Sequence, residues 1–158
     1  MATKTIRSDV AAGIIAGVIG LFWIGAIWTS LVFPPPVQIA TGAILTGDQI
    51  ALREHEWGFN QFTKGGPEIC IVTGHTLNIT LTNDGHNLHG FQIVRDGGTP
   101  VPGLSGLNAT ERLSPLEVKK LTLKIDQPGN YYYICPVTGH RAKGMIGACV
   151  VQASCAAS

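Results

Sequence analysis

The residues with the most chemistry in this sequence stand near its end. The run Cys135-Pro-Val-Thr-Gly-His140-Arg-Ala-Lys-Gly-Met145 sets a thiol, an imidazole and a thioether at equal steps along one segment. A loop joining two strands can bend three such side chains toward one point. A cysteine thiolate and two histidines in a trigonal plane, with a weak and distant axial methionine, make the ligand set of an electron-transfer copper site. The segment supplies one histidine, so a second must come from elsewhere. The turn that follows residues 77–83 offers two, His86 and His89. Taken singly, the three residues read as a structural cysteine, a surface histidine and a core methionine. Together, at this spacing and with a spare histidine upstream, they read as a metal site.

What must position them is a β domain. From Asp48 onward the apolar pattern has period two: Leu77, Ile79 and Leu81 fall on one face, Asn78, Thr80 and Thr82 on the other. Segments 49–59, 69–83, 89–94, 118–125, 131–135 and 145–152 read as strands, and 97–107 as a Gly/Pro loop. Turn signals at Asn83-Asp84-Gly85 and Pro128-Gly129 separate them. Six or seven short strands divided in this way predict an all-β, Greek-key β-sandwich over 48–158.

Composition narrows the function. With 158 residues, 13% charged and a formal net charge of +1, the chain is not a charged disordered tail, and it lacks the clustered Lys and Arg that nucleic acid requires. Four cysteines are too few for a disulfide scaffold.

The apolar character is concentrated in residues 10–33, which carry no charge. As a helix this run covers about 36 Å, enough for a bilayer core of about 30 Å with some tilt. It is too long for the apolar region of a cleaved signal peptide, and it is read as one N-terminal transmembrane α-helix. Lys4 and Arg7 precede it and no Lys or Arg follows until Arg53. The positive-inside rule therefore leaves 1–9 in the cytoplasm and exports the rest, so the expected location is the cell membrane, single-pass, with the β domain on the extracytoplasmic side. Pro34-Pro35-Pro36 ends the helix, and 34–47 reads as a spacer.

The segment from Gly129 through Met145 resembles the C-terminal copper loop of the cupredoxins, the type 1 blue copper proteins. Within them it is most similar to the rusticyanin, auracyanin and sulfocyanin group, which shares both four-residue gaps; plastocyanin has a shorter first gap and azurin a shorter second. Leu113-Ser-Pro-Leu-Glu resembles the turn before the penultimate strand pair, and Leu81-Thr-Asn83 followed by His89 resembles the strand bearing the first histidine. The resemblance covers about 48–152. It implies one mononuclear copper held by His89, Cys135, His140 and Met145, with His140 offering an exposed ring edge to electrons. His89 is preferred to His86 because Phe91 and Ile93 share its side of the strand, as apolar residues do in the family pattern. Several cupredoxins carry Asn after this histidine, where it braces the two ligand loops; Gly90 stands here, and Asn83 is a candidate substitute.

The function so implied is single-electron transfer by Cu(I)/Cu(II) cycling between respiratory or photosynthetic redox partners, such as a cytochrome or a terminal oxidase. No catalysis, small-molecule substrate or nucleic acid is implied. The alternative is a fixed subunit of a terminal oxidase or similar complex, and Gly13-x-x-x-Gly17 would permit close helix contact. A binuclear copper centre of the oxidase subunit II type needs a second cysteine four residues beyond the first, where Gly139 stands. A catalytic copper site would need further convergent histidines, and His55, His75 and His86 lack supporting spacing. His55 reads as solvated and His75 as a turn residue. Cys149 has the parity of a core position, and a Cys70–Cys155 disulfide is conceivable. Asn78-Ile-Thr80 and Asn108-Ala-Thr110 match the glycosylation sequon.

Overall fold

The computed structural model describes residues 18, 19, 21, 43–95, 98–101 and 112–156. The chain divides into two compact units, Met1–Pro36 and Val37–Ser158. In the first, Val18, Ile19 and Leu21 are helical with exposed side chains. The rest of the expected span 10–33 lies outside the described residues, as do the segment 1–9 and Asn108. Among the described residues no helix is long and apolar enough to cross a membrane.

The second unit is a β-sandwich. One sheet runs in the order β1 (Ile44–Leu45), β4 (Glu68–Val72), β9 (Ile146–Gln152), β8 (Gly129–Ile134) and β6 (Gln92–Val94). The other runs β3 (Gly58–Phe59), β2 (Gln49–His55), β5 (Thr76–Asn83) and β7 (Val118–Lys124). Strands β1 and β4, β4 and β9, and β2 and β5 pair in parallel, and the remaining pairs are antiparallel.

Period two explains the layering. Along β2 the side chains alternate out and in, so that Ile50 and Leu52 turn inward, in register with Ile79 and Leu81 of β5. Ile79 and Leu77 are in turn opposite Leu121 and Leu123 of β7. This aliphatic layer meets Phe91, just before β6, and Ile93, Tyr133, Cys149 and Val151 of the five-stranded sheet in one buried core. Each such side chain contributes roughly 1.5–3 kcal/mol by leaving water. Tyr133 sits at the centre, edge-on to Phe59 at 4.8 Å and stacked on Phe91 at 5.7 Å, and its hydroxyl donates to the Pro67 carbonyl at 2.5 Å. Its ring occupies the space a side chain at Gly147 would need, since a Cβ there would stand 2.1 Å from the ring.

Several boundaries differ from the sequence expectation. Segment 49–59 breaks after His55 into β2 and β3, because Gly58 packs against the Phe62 carbonyl and draws the chain into a tight turn. Segment 69–83 breaks at Gly74, which adopts a positive φ of 75°. His89 joins the sheet only through a bridge to Leu113, and the strand after it is confined to β6. Ile44 and Leu45, expected in the spacer, pair with Glu68 and Ile69 at the sheet edge. Cys70 of β4 and Cys155 beyond β9 form a disulfide across a sequence separation of 85. Cys149 is a buried free thiol, as its parity predicts.

Candidate metal centre

Residues 135–145 form a closed loop at one end of the sandwich. Cys135 follows β8, and its backbone N–H donates to the Met145 carbonyl at 3.2 Å. Within the loop Gly139 takes a positive φ of 83°, which starts a single helical turn, α1 (His140–Lys143). Gly144 ends that turn, and the Met145 N–H returns to the His140 carbonyl at 3.1 Å. The loop was expected without helix; the turn it contains aims His140 back toward Cys135. On the facing segment His89 and Leu113 exchange backbone hydrogen bonds at 3.1 and 2.8 Å, which holds the histidine at the mouth of the core.

The three side chains converge. Cys135 Sγ lies 3.4 Å from His140 Nδ1 and 3.8 Å from His89 Nδ1, and the donor atoms all fall within 4.8 Å of one another. The two imidazoles are 5.1 Å apart and tilted by 58°. His89, Cys135, His140 and Met145 are all buried. Burial pushes the Cys135 thiol up to about 11, against the pull of the Val137 and Gly90 amides that donate to the sulfur. Burial also holds both imidazoles below their ordinary range, so they are neutral and able to ligate. Two neutral imidazole nitrogens beside a soft sulfur, with a buried thioether in the same loop and no carboxylate in the set, are positioned as a type 1 copper site.

His86 does not join this group. Its ring is 99% exposed and points away, 3.9 Å from Glu56. His75 and His55 also stay outside the cluster. His55, expected to be solvated, is half-buried instead, with Nε2 2.6 Å from the Asn60 carbonyl. The bracing left open by Gly90 has two parts. The Gly90 amide itself reaches Cys135 across the loops, and a Cβ there would stand 3.4 Å from Pro136. Buried Asn83 donates to the carbonyls of Asn87 and Leu113 and accepts from the Gly85 amide, tying down the approach to His89.

The expected exposed edge of His140 is not found. The residue is 7% exposed, because Trp57 of the β2–β3 turn packs edge-on against it at 4.9 Å. Lys143 Nζ lies 3.7 Å over the indole and extends the cover. The neighbouring Glu56 was also missed. Its carboxylate accepts from the backbone of His86 and Asn87 at 2.7 and 2.8 Å and from Asn87 Nδ2 at 2.9 Å. Burial would raise the Glu56 carboxyl, but these donors bring it down to about 2. Neither residue carries a local motif; both reach the site only through the fold.

No family model matches the chain. It is 26% identical over 125 residues to a rusticyanin of Acidithiobacillus ferrooxidans, covering 73% of this chain and 76% of that protein. A rusticyanin of Acidithiobacillus ferridurans is 27% identical over 124 residues, and there the chain spans 63% of the relative's length. Among solved structures, auracyanin from Roseiflexus castenholzii superposes with a TM-score of 0.53 at 24% identity, over 70% of this chain and 98% of that one. A copper nitrite reductase from Nitrosomonas europaea gives 0.53 at 26% identity, over 69% of this chain and 41% of that one. Multicopper oxidases share the fold as well. The curated likenesses are thus to rusticyanins, and the solved structures share this cupredoxin-like β-sandwich fold.

Proposed function

We propose that this chain is a membrane-anchored cupredoxin that passes single electrons between redox proteins through one mononuclear copper held by His89, Cys135, His140 and Met145. The observation that carries the reading is the buried cluster in which Cys135 Sγ faces both Nδ1 atoms. Bound there, copper supplies a one-electron couple. The residues supply the rest. Cys135 provides the strongly bonding thiolate, protected from water and oxidants. His89 and His140 enter from separate segments, each fixed by backbone hydrogen bonds, so the donor geometry changes little when charge changes. Met145, buried in the same loop, would add its thioether to the set as the weak fourth donor. Trp57, rather than bare imidazole, covers His140 on the outer side, so the path to a partner runs across or beside the indole.

The apolar, exposed helical residues Val18, Ile19 and Leu21 support the anchor, as do Lys4 and Arg7 before the uncharged run. The Cys70–Cys155 disulfide supports an oxidising, extracytoplasmic side for the copper domain. Partners are a cytochrome, a terminal oxidase or a similar electron-transfer complex.

The test is optical. The full chain in detergent, loaded with Cu(II), is expected to show an intense thiolate-to-copper band with narrow copper hyperfine splitting. His89→Ala abolishes the band and His86→Ala keeps it. A colourless protein, or ordinary tetragonal copper, overturns the reading. Gentle solubilisation then separates a lone carrier from a fixed subunit, because a subunit co-migrates with haem.

A further inference from the structure

A histidine that ligates through one ring nitrogen leaves the other needing a partner, and that partner fixes the ring. His89 turns Nδ1 to Cys135; its Nε2 is buried and has no well-formed hydrogen bond. The polar atom that faces Nε2 is Glu56 Oε1, at 3.5 Å. A second feature of the fold makes the approach possible. A Cβ on Gly85 would stand 2.7 and 2.8 Å from the two Glu56 oxygens and 2.8 Å from His89 Nε2. The absent side chain of Gly85 is therefore the space in which carboxylate and imidazole meet. The carboxylate is also held from behind by the His86 and Asn87 donors, so it is a placed group.

We propose that Glu56 is a positioning residue of the centre: its carboxylate accepts the Nε2–H of His89, keeps the ring proton on that nitrogen, and leaves Nδ1 as the free lone pair that faces Cys135. A neutral imidazole has one ring proton, so a carboxylate at Nε2 decides which nitrogen can ligate. At 3.5 Å, on the oxygen that also accepts from His86 and Asn87, the contact is at the outer limit of a hydrogen bond, and the ionised acceptor strengthens it. The same fixed negative charge favours the oxidised over the reduced metal, so it lowers the reduction potential. The metal part of this inference rests on the copper reading above; the tautomer part does not.

Two variants of the full chain test it, Glu56→Gln and Gly85→Ala. The first removes the charge and keeps the shape; the second keeps the carboxylate and puts a methyl group in the contact. In the copper-free protein, nitrogen-15 NMR is expected to show His89 as a fixed Nε2–H tautomer with a downfield, slowly exchanging ring proton. In both variants that proton moves upfield and exchanges faster. The amides of Ile50, Leu52 and Tyr133 stay in place, which shows that the fold is intact. With copper, Glu56→Gln keeps the visible band and shifts the potential upward. If the ring proton of both folded variants is unchanged and the potential of Glu56→Gln does not move, Glu56 merely ties the His86–Asn87 turn and the proposal falls. Failure of the copper reading looks different: the wild type itself shows no intense band, whatever the ring proton does.

Discussion

A carboxyl group buried without a partner keeps its proton, because the charged form has nothing to replace the water it lost. Glu54 is such a group: fully buried at the inward end of β2, without a hydrogen-bond partner for either oxygen, and pushed by burial up to about 8 from an ordinary 4.5. The sign of its effect follows. Between these values the unfolded chain has released the proton and the folded chain has not, so its contribution to stability falls as pH rises through that window and is constant above it. The size is at most about 5 kcal/mol for a shift of this magnitude. Denaturant unfolding of the copper-free protein across pH 4.5–8 is expected to show Glu54→Gln gaining on the wild type as pH rises. The difference between the two isolates Glu54, because His89 and His140, held neutral by burial, act in the opposite sense at the lower end. The sequence held half of this. Glu54 has the parity of Ile50 and Leu52, so its inward position could be read from period two. Its charged neighbours Arg53 and Glu56 concealed it.

At the scale of elements, the β8–β9 pair holds the loop of the centre by its ends. Tyr133 and Gly147 are directly opposite in register, and the ring lies over the glycine. The Gly147→Ala change has no room for its methyl, and overpacking of this kind costs about 1–3 kcal/mol. Chemical denaturation is expected to show that loss, and the displaced Tyr133 gives up its bond to Pro67. The strands themselves were legible, because alternation along β2, β5 and β7 is a local property of the chain. So were Cys135, His140 and Met145, which share one loop, and His89, whose neighbours Phe91 and Ile93 enter the core. The β2–β3 turn was not legible. Its break depends on the close approach of Gly58 to Phe62, and its contacts with His89 and His140 come from segments far along the chain. Pattern within a strand carries no record of such meetings.

Across the whole molecule, the Cys70–Cys155 bond ties the chain beyond the last strand to β4 and closes a long loop. For a loop spanning 85 positions, the chain-entropy argument assigns up to about 4–5 kcal/mol. Reduction, or Cys70→Ser, is expected to lower the unfolding midpoint accordingly while the copper spectrum stays unchanged, since neither residue is in the metal cluster. The pairing of Ile44–Leu45 with β4 has a practical corollary: a soluble version should begin at Val37, because a start at Gly47 discards an edge strand. Such a version retains one of the three tryptophans, Trp57, since Trp23 and Trp28 belong to the first unit. That indole touches a ring of the metal cluster. Its fluorescence is expected to be quenched as Cu(II) is taken up and to recover in part on reduction. The molecule thus carries its own light-emitting gauge of occupancy and oxidation state, readable in a cuvette without any added dye.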